Sequence, residues 1–191
     1  MNQDLIQVLN SNSIAVLATD TIYGVVASAH STDAVARLYE IKGRDEGKPF
    51  IILIPSIDSL ADFGVVLSAE DRTMLTTIWP NAVTVILPVD ISQQEKFTYL
   101  HRGTNELAFR LPAKESLRVL LEQTGSLVAP SANPQGLSPA KTIAEARAYF
   151  ANTVDFYEDG GAVEGNASTI VSLKNGTLTI LRQGAVTIDT F

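Results

Sequence analysis

Short apolar runs separated by amphipathic helical patterns constrain the fold of this chain more than any other feature. The runs are rich in β-branched residues and occupy positions 14–18, 50–54, 83–87, 107–110, 127–129, 169–173 and 178–181. Each run has the length of a strand. Apolar residues at helical spacing follow Thr32 or Asp33, Ser68, Ser116 and Thr142. This alternation predicts an α/β protein whose sheet is flanked by helices.

The last two runs follow each other without an intervening helix. Between them lies Lys174-Asn175-Gly176-Thr177, and Asn-Gly readily supplies the positive φ angles of a two-residue hairpin turn. A hairpin after helix-separated strands predicts a twisted sheet of mixed direction. The chain has 191 residues, of which 46% are hydrophobic, so we expect residues 1–191 to form a single domain.

The overall composition argues against several classes of function. The sequence has no cysteine, which excludes disulfides and thiolate zinc sites. No apolar run approaches the roughly 20 residues of a membrane helix, and the N-terminus lacks the pattern of a secretory signal. These features predict a cytoplasmic protein without membrane contact. The net charge of −7 argues against tight, sequence-blind binding of nucleic acid.

Familiar catalytic motifs are absent from the sequence. The stretch at positions 43–49 is one residue short of a P-loop and ends in Pro49, where the magnesium-binding hydroxyl belongs. The glycines at positions 160–165 do not match the dinucleotide fingerprint. His30 and His101 are the only histidines, and neither belongs to a zinc or serine hydrolase motif. No protein-bound metal site is predicted.

A cation cluster stands out near the end of the first long helical pattern. Lys42, Arg44 and Lys48 occur within seven positions. Cations at a helix C-terminus complement its dipole, which is one interpretation of the cluster. Because three adjacent cations repel one another, the other interpretation is an anionic ligand held partly by the planar fork of Arg44.

Four further segments place polar groups at predicted strand ends. These are T-D-T-I-Y-G at positions 19–24, P-S-A-N-P at 130–134, the glycine-containing stretch 159–169, and Arg182. Ser131 and Asn133 lie where open α/β sheets place ligands. The same residue types are also ordinary turn formers, so each segment alone leaves both interpretations open.

The order of these segments resembles the YrdC/Sua5 family, the threonylcarbamoyl-AMP synthases. From about residue 14 to 186 the sequence contains T-D-T-I-Y-G, K-G-R, W-P-N-A-V-T-V-I-L, F-R-L-P, A-P-S-A-N, D-G-G, S-T-I-V and I-L-R-Q-G-A. The resemblance covers nearly the whole chain, in the short form of the family. It implies a YrdC-like fold with a concave, basic cleft.

The resemblance also implies a nucleotidyltransferase reaction. ATP, with the Mg²⁺ that it carries, L-threonine, and bicarbonate or CO₂ would give L-threonylcarbamoyl-adenylate and pyrophosphate. A tRNA threonylcarbamoyl transferase complex would then modify adenosine 37 of tRNA to t6A, and direct tRNA binding by this chain is expected to be weak or absent.

By resemblance, site residues can be assigned to three groups. Lys42 and Arg44 match the catalytic signature. ATP-binding positions match Arg44, Lys48, Ser131, Asn133, Ser138 and Arg182. Positions around L-threonine match Thr21, Arg110, Ala129 and Ser168.

The sequence departs from the family pattern at Ala18, Asp45, Asn81, Ala82 and Gln183. Asp45 adds a negative charge among the expected phosphate-binding cations. Two alternatives therefore accompany the synthase interpretation. One is an RNA-binding YrdC-like paralogue without synthase activity. The other is a carbamoyl-transfer enzyme of the hydrogenase-maturation kind, which the absence of a cysteine-rich segment disfavours.

Overall fold

The computed structural model of the chain describes residues 2–45 and 47–188. Its strands are β1 Ala15–Ala18, β2 Tyr23–Ser28, β3 Ile51–Leu53, β4 Val83–Pro88, β5 Glu106–Arg110, β6 Leu127–Val128, β7 Phe156–Tyr157, β8 Thr169–Lys174 and β9 Thr177–Arg182. Its α-helices are α1 Gln3–Asn10, α2 Thr32–Lys42, α3 Ala69–Ile78, α4 Thr98–His101, α5 Glu115–Thr124 and α6 Ile143–Phe150. Short 3₁₀ turns occupy Ile57–Phe63, Glu95–Phe97 and Ala151–Thr153.

The described strands form one sheet in the order β7-β1-β2-β6-β3-β5-β4-β8-β9. The pairs β7/β1, β3/β5 and β4/β8 are parallel, and the others are antiparallel. The predicted mixed α/β sheet is therefore confirmed.

Helices cover both faces of the sheet because its central strands are apolar on both sides. In β1, Ala15 and Leu17 pack in one cluster with residues of α1 and α5, such as Leu9 and Leu121. The alternate residue Val16 belongs to a second cluster with apolar residues of α2 and α3. Each fully buried Leu or Val contributes roughly 1.5–3 kcal/mol to folding.

The predicted element boundaries hold to within a few residues. The sequence predicts Thr32 or Asp33 as the N-cap of α2, but Ser31 is the N-cap and the helix begins at Thr32. Gly43 ends it as expected, with a left-handed φ of 56°. Thr142 caps α6 as expected, but the Glu145 carboxylate accepts from the Lys141 N–H rather than from Thr142. The 174–177 hairpin is also confirmed, with φ values of 50° at Asn175 and 74° at Gly176.

Elements missing from the sequence interpretation are α1, α4, β2 and β7. The omission of β2 matters most, because β2 lies at the side of the candidate site. Gly24 belongs to this strand, and a Cβ there would lie 3.2 Å from Thr19 Cγ2 and 3.4 Å from the Pro130 oxygen. Glycine thus permits the close approach of β2 to the 130–134 segment.

Candidate active site

A cavity of about 480 Å³ opens over one face of the sheet. It is bounded by β3, β4, β5 and β8, by the 19–24 segment and by the loops that precede and follow Ser131. The structure brings these predicted site residues together in its lining: Thr21, Arg44, Arg110, Ala129, Ser131, Ser168 and Arg182. Lys42, Lys48, Asn133 and Ser138 lie outside this lining.

Ser131 is held because its loop continues alongside β2. The Val25 N–H donates to the Pro130 carbonyl over 3.0 Å, and the Ala132 N–H donates to the Tyr23 carbonyl over 2.8 Å. Ala129 is fixed in the same way, since its N–H donates to the Ile51 carbonyl over 2.8 Å. The backbone here is positioned by the sheet and does not depend on a ligand.

Lys42 lies behind this loop and is only 2% exposed. Its ammonium donates to the carbonyls of Ser131 and Asn133, while its own carbonyl accepts from the Gln135 N–H over 2.9 Å. Burial, reinforced by the nearby charge of Arg44, lowers the pKa of Lys42 to about 7. The geometry shows Lys42 as a support of the Ser131 loop.

The side-chain amide of Asn133 is also engaged in hydrogen bonds within its own loop. Its amide donates to the Leu137 carbonyl over 2.7 Å and to the Pro134 carbonyl over 2.9 Å. Its Oδ1 is buried and has no hydrogen-bond partner in the part of the chain that the structure describes. Such an acceptor is costly to leave unpaired, so it is suited to a ligand donor or a bound water.

Arg44 enters the cavity from the end of α2. Its guanidinium donates to the carbonyls of Lys48 and Pro49 over 3.1 and 3.3 Å and lies 5.2 Å from the centre of the Phe50 ring. Burial lowers the pKa of Arg44, although Tyr39 and Asp45 oppose this shift. Among the described residues its hydrogen bonds go to backbone carbonyls, so the guanidinium keeps donor capacity for an anion.

Lys48 lies on the exposed side of the same segment. Its ammonium is 3.6 Å from the Asp45 carboxylate, and its side chain is 62% exposed. Asp45, the most unfavourable departure from the family pattern, is thus paired with Lys48 and lies outside the residues that line the cavity.

The 19–22 segment is a side-chain-stabilised turn that also lines the cavity. Thr19 Oγ1 accepts from the N–H groups of Thr21 and Ile22 and donates to the Ile22 carbonyl over 2.6 Å. Thr19 and Thr21 hydroxyls are 3.1 Å apart. The Thr21 hydroxyl is buried beside this turn and lines the cavity. The turn and pocket interpretations are therefore both correct.

Arg110 is paired with Asp20, a residue that the sequence interpretation did not select. Arg110 Nη2 lies 2.9 Å from Asp20 Oδ1, and the two side chains are 5% and 4% exposed. The geometry of this contact is not that of a hydrogen bond. Within the described residues, neither Asp20 Oδ1 nor Arg110 Nε has a hydrogen-bond partner. Burial lowers the pKa of Arg110, and Asp20 counteracts the shift.

Ser168 and Arg182 meet at the other side of the cavity. The Ser168 hydroxyl lies 2.8 Å from the hydroxyl of Thr84 in β4, and the Ser168 carbonyl accepts from Arg182 over 2.8 Å. Ser168 is 2% exposed. Thr84 is a second partner that sequence reasoning missed, although its position in the V-T-V-I-L strand was recognised.

Ser138 is exposed and not part of the cluster, although its neighbour Pro139 lines the cavity. The stretch 159–167 contributes Ala167 to the described lining and is held at several points. The Tyr23 hydroxyl donates to the Gly161 carbonyl over 2.7 Å and accepts from the Gly160 N–H over 2.9 Å. A Cβ at Gly165 would lie 2.0 Å from the Thr21 carbonyl oxygen.

One carboxylate, Glu106, occurs among the described lining residues. Its position alternates with those of Ala108 and Arg110 along β5, which is the sequence signal that would have identified it. Among the described residues, no group of three or more His, Cys, Asp or Glu is arranged to hold a metal ion. No helix of the described residues is both long and apolar enough to cross a membrane.

The fold and cavity define an α/β protein with a ligand-sized site at the ends of paired strands. The profile of the Sua5/YciO/YrdC family, described as "Telomere recombination", matches residues 7–184. The chain therefore belongs to the Sua5/YciO/YrdC family.

Relatives in this family are named for one reaction. A threonylcarbamoyl-AMP synthase of Bacillus subtilis is 33% identical over 94% of this chain and 52% of its own length. A putative threonylcarbamoyl-AMP synthase of Mycobacterium tuberculosis is 32% identical over 95% of this chain and 82% of its own length. This chain thus spans about half the length of the Bacillus relative and most of the mycobacterial one.

Solved structures agree with this assignment. Pyrococcus abyssi Sua5 complexed with L-threonine superposes with a TM-score of 0.84 and 27% identity, covering 95% of this chain and 53% of that protein. HypF, in a phosphate- and nucleotide-bound form, has a TM-score of 0.77 over 95% of this chain and 28% of that protein. Its 19% identity shows a shared fold alone.

Proposed function

We propose that this chain is a nucleotidyltransferase that makes L-threonylcarbamoyl-adenylate from L-threonine, bicarbonate or CO₂, and ATP. The supporting observation is one cavity in which Arg44, Arg110 and Arg182 are combined with the hydroxyls of Thr21, Ser131 and Ser168. Relatives that match nearly the whole chain bear the name of this synthase. We also propose that residues 1–191 form a single YrdC-like domain.

The chemistry requires several anions to share one site. Carboxylation of the threonine amine gives a carbamate, whose oxygen attacks the α-phosphorus of ATP. The bond from that phosphorus to the bridging oxygen breaks, and pyrophosphate leaves with the electron pair. Guanidinium groups offset the repulsion between carbamate and triphosphate, so catalysis consists mainly of positioning and charge stabilisation. Mg²⁺ would enter with ATP as part of the substrate.

The two sides of the cavity suit different parts of the reactants. Arg44 and Arg182, with Ser131, would take the phosphates, because within the described residues both guanidiniums reach the lining with hydrogen bonds to backbone carbonyls. Lys48 and Ser138 would join them only after moving, since both are exposed and outside the lining. Lys42 and Asn133 would act by holding the Ser131 loop.

The threonine would lie against the buried side. Arg110 would bind its carboxylate, and Thr21, Ser168 and the backbone at Ala129 would surround its amine and hydroxyl. A site with hydroxyl partners rejects valine because a polar group would be left unpaired. We therefore expect valine to support at most about 1% of the threonine-dependent rate, consistent with the penalty for unpaired polar groups.

The decisive experiment measures pyrophosphate release by the purified chain with ATP and Mg²⁺. Release should require both threonine and bicarbonate, and the product should carry the threonylcarbamoyl group by mass spectrometry. Omission of either substrate, and replacement of threonine by valine, provide the controls. Steeply salt-dependent RNA binding without any turnover would contradict the proposal and support an RNA-binding paralogue.

The product is a mixed anhydride and needs an acceptor. We propose that a tRNA threonylcarbamoyl transferase complex takes the group to adenosine 37, forming t6A, while this chain itself binds tRNA weakly or not at all. The net charge of −7 supports weak tRNA binding by this chain. A cytoplasmic location would follow from a role in tRNA processing.

A further inference from the structure

Glu106 is a cavity residue that the proposed reaction does not use. In β5, side chains on one face recur every second residue, so Glu106 shares the cavity face with Ala108 and Arg110. Arg110 is four residue steps along the strand from Glu106, which corresponds to about 13 Å. The carboxylate therefore marks the end of the cavity away from Arg110.

The floor between these two ends is apolar. Ala108 faces its cross-strand partner Ile86 in β4, and Ile170 of β8 lies beside them in the lining. No charged group interrupts this stretch of the described lining. Its apolar side chains suit an aromatic ring.

Glu106 carries a cation partner from a strand further along the sheet. Lys174 Nζ lies 2.5 Å from Glu106 Oε1, with side chains 57% and 31% exposed. Lys174 reaches Glu106 across β4, where Pro88 is the partner of Glu106. The carboxylate would repel a phosphate or a carboxylate, so this end of the cavity fits a neutral group with an N–H donor beside an acceptor.

We propose that Glu106 and Lys174 recognise the edge of the adenine base and select adenine over 6-oxopurine nucleotides. Adenine presents the N7 acceptor beside the 6-amino donor, whereas guanine and hypoxanthine present two acceptors, N7 and O6. The carboxylate accepts from the 6-amino group and the ammonium donates to N7. With a 6-oxopurine, O6 faces the carboxylate and is repelled. This inference rests on the proposed use of ATP.

The test is calorimetric titration of ATP and ITP into the protein without threonine or bicarbonate, so that no reaction occurs. The wild-type chain should bind ATP roughly 10- to 100-fold more tightly than ITP, the discrimination typical of a two-point base contact. In Glu106→Gln the amide offers a donor or an acceptor equally, so the ratio should fall to about 1.

Two further variants separate base recognition from general damage. Lys174→Met should weaken ATP and ITP together, by about tenfold, because both bases carry N7. Glu122→Gln, an exposed site on α5 outside the cavity, should bind both nucleotides as the wild type does. Thermal unfolding of each variant establishes that it is folded.

The outcomes distinguish this inference from the proposed function. Equal wild-type affinity for ATP and ITP, or an unchanged ratio in Glu106→Gln, would overturn the role of Glu106. A change confined to the ratio of ATP to 2′-deoxy-ATP would do the same, because it would place the carboxylate at the ribose. Selective ATP binding that Glu106→Gln abolishes, in a protein that releases no pyrophosphate, would support base recognition and reject the synthase.

Discussion

The two sides of the cavity differ in how firmly their charges are held. On the sheet side, Arg110 and Asp20 form a pair whose side chains are 5% and 4% exposed. On the loop side, Lys48 is 62% exposed, and Arg44 donates to backbone carbonyls of its own segment and lies over the Phe50 ring. The sheet side has its geometry before any ligand arrives, whereas the loop side keeps cations available for an incoming anion.

This difference gives the two sides different sensitivities to substitution. A charge that is buried with its partner becomes costly when the partner is removed. An exposed charge contributes little to folding but contributes to the binding of a charged ligand. Substitutions on the sheet side should therefore mainly lower the free energy of unfolding, and those on the loop side should mainly lower catalytic activity.

The largest expected effect follows loss of the Asp20 carboxylate. Asp20→Ala leaves the buried Arg110 without its counter-charge and should lower the free energy of unfolding by about 3–5 kcal/mol. Urea denaturation measures this. The control is Asp58→Ala, which breaks the exposed Arg72–Asp58 pair and should cost less than about 1 kcal/mol. Equal losses of unfolding free energy in the two variants would show that the buried pair on the sheet side is held no more firmly than an exposed pair.

The next effect is catalytic. Arg44→Ala should reduce kcat/KM for ATP in pyrophosphate release by about 100-fold, because a charge-assisted hydrogen bond to a phosphate is lost. The urea midpoint should change little, and Arg44→Lys should recover only part of the rate, since an ammonium cannot make a bidentate contact. Wild-type activity in Arg44→Ala would show that phosphates bind elsewhere.

A smaller effect concerns Lys42 and pH. Its pKa of about 7 means that at pH 8 its amine is mostly neutral in the free protein. A triphosphate nearby favours the charged form and raises this pKa, so ATP binding should take up a fraction of a proton at pH 8 and almost none at pH 6.

Affinity for ATP should accordingly fall as the pH rises above 7. Calorimetry in two buffers of different ionisation enthalpy measures the uptake, and Lys42→Met should abolish it. Absence of uptake at pH 8 in the wild type would mean that the two loop carbonyls keep Lys42 charged.

The smallest effect is expected at Lys48. Lys48→Ala should change kcat/KM by less than about threefold at 0.15 M salt, because the ammonium is exposed and screened. A larger reduction of kcat/KM at low salt would be consistent with the exposed position of the Lys48 ammonium. A loss as large as that of Arg44→Ala would show that the 43–49 segment closes onto the nucleotide.

Local sequence patterns predicted the elements because their physical causes are local. Gly43 ends α2, and Asn175-Gly176 forms a hairpin turn, because each adopts a backbone angle that few other residues tolerate. The missed strand β2 has a different cause. Its position depends on the close approach of the 130–134 segment, and no local pattern encodes a contact between such distant parts of the chain.

The candidate site was predictable in its membership but not in its connections. The order of motifs predicted Thr21, Arg44, Arg110, Ser131, Ser168 and Arg182, which the structure brings to one cavity. The same motifs did not reveal that Lys42 donates to carbonyls 89 and 91 residues away, or that Asp20 pairs with Arg110. Such partners are set by three-dimensional packing, and the order of motifs in the sequence does not reveal the spatial distances between their side chains.

Gly165 lies directly against the backbone of Thr21, with less space between them than a methyl group requires. At this point the 159–167 stretch therefore cannot move closer to the 19–22 turn. A bulkier residue at position 165 would act as a wedge between them and displace the Thr21 hydroxyl from the cavity. The width of the amino-acid end of the site thus depends on the absence of a side chain at Gly165.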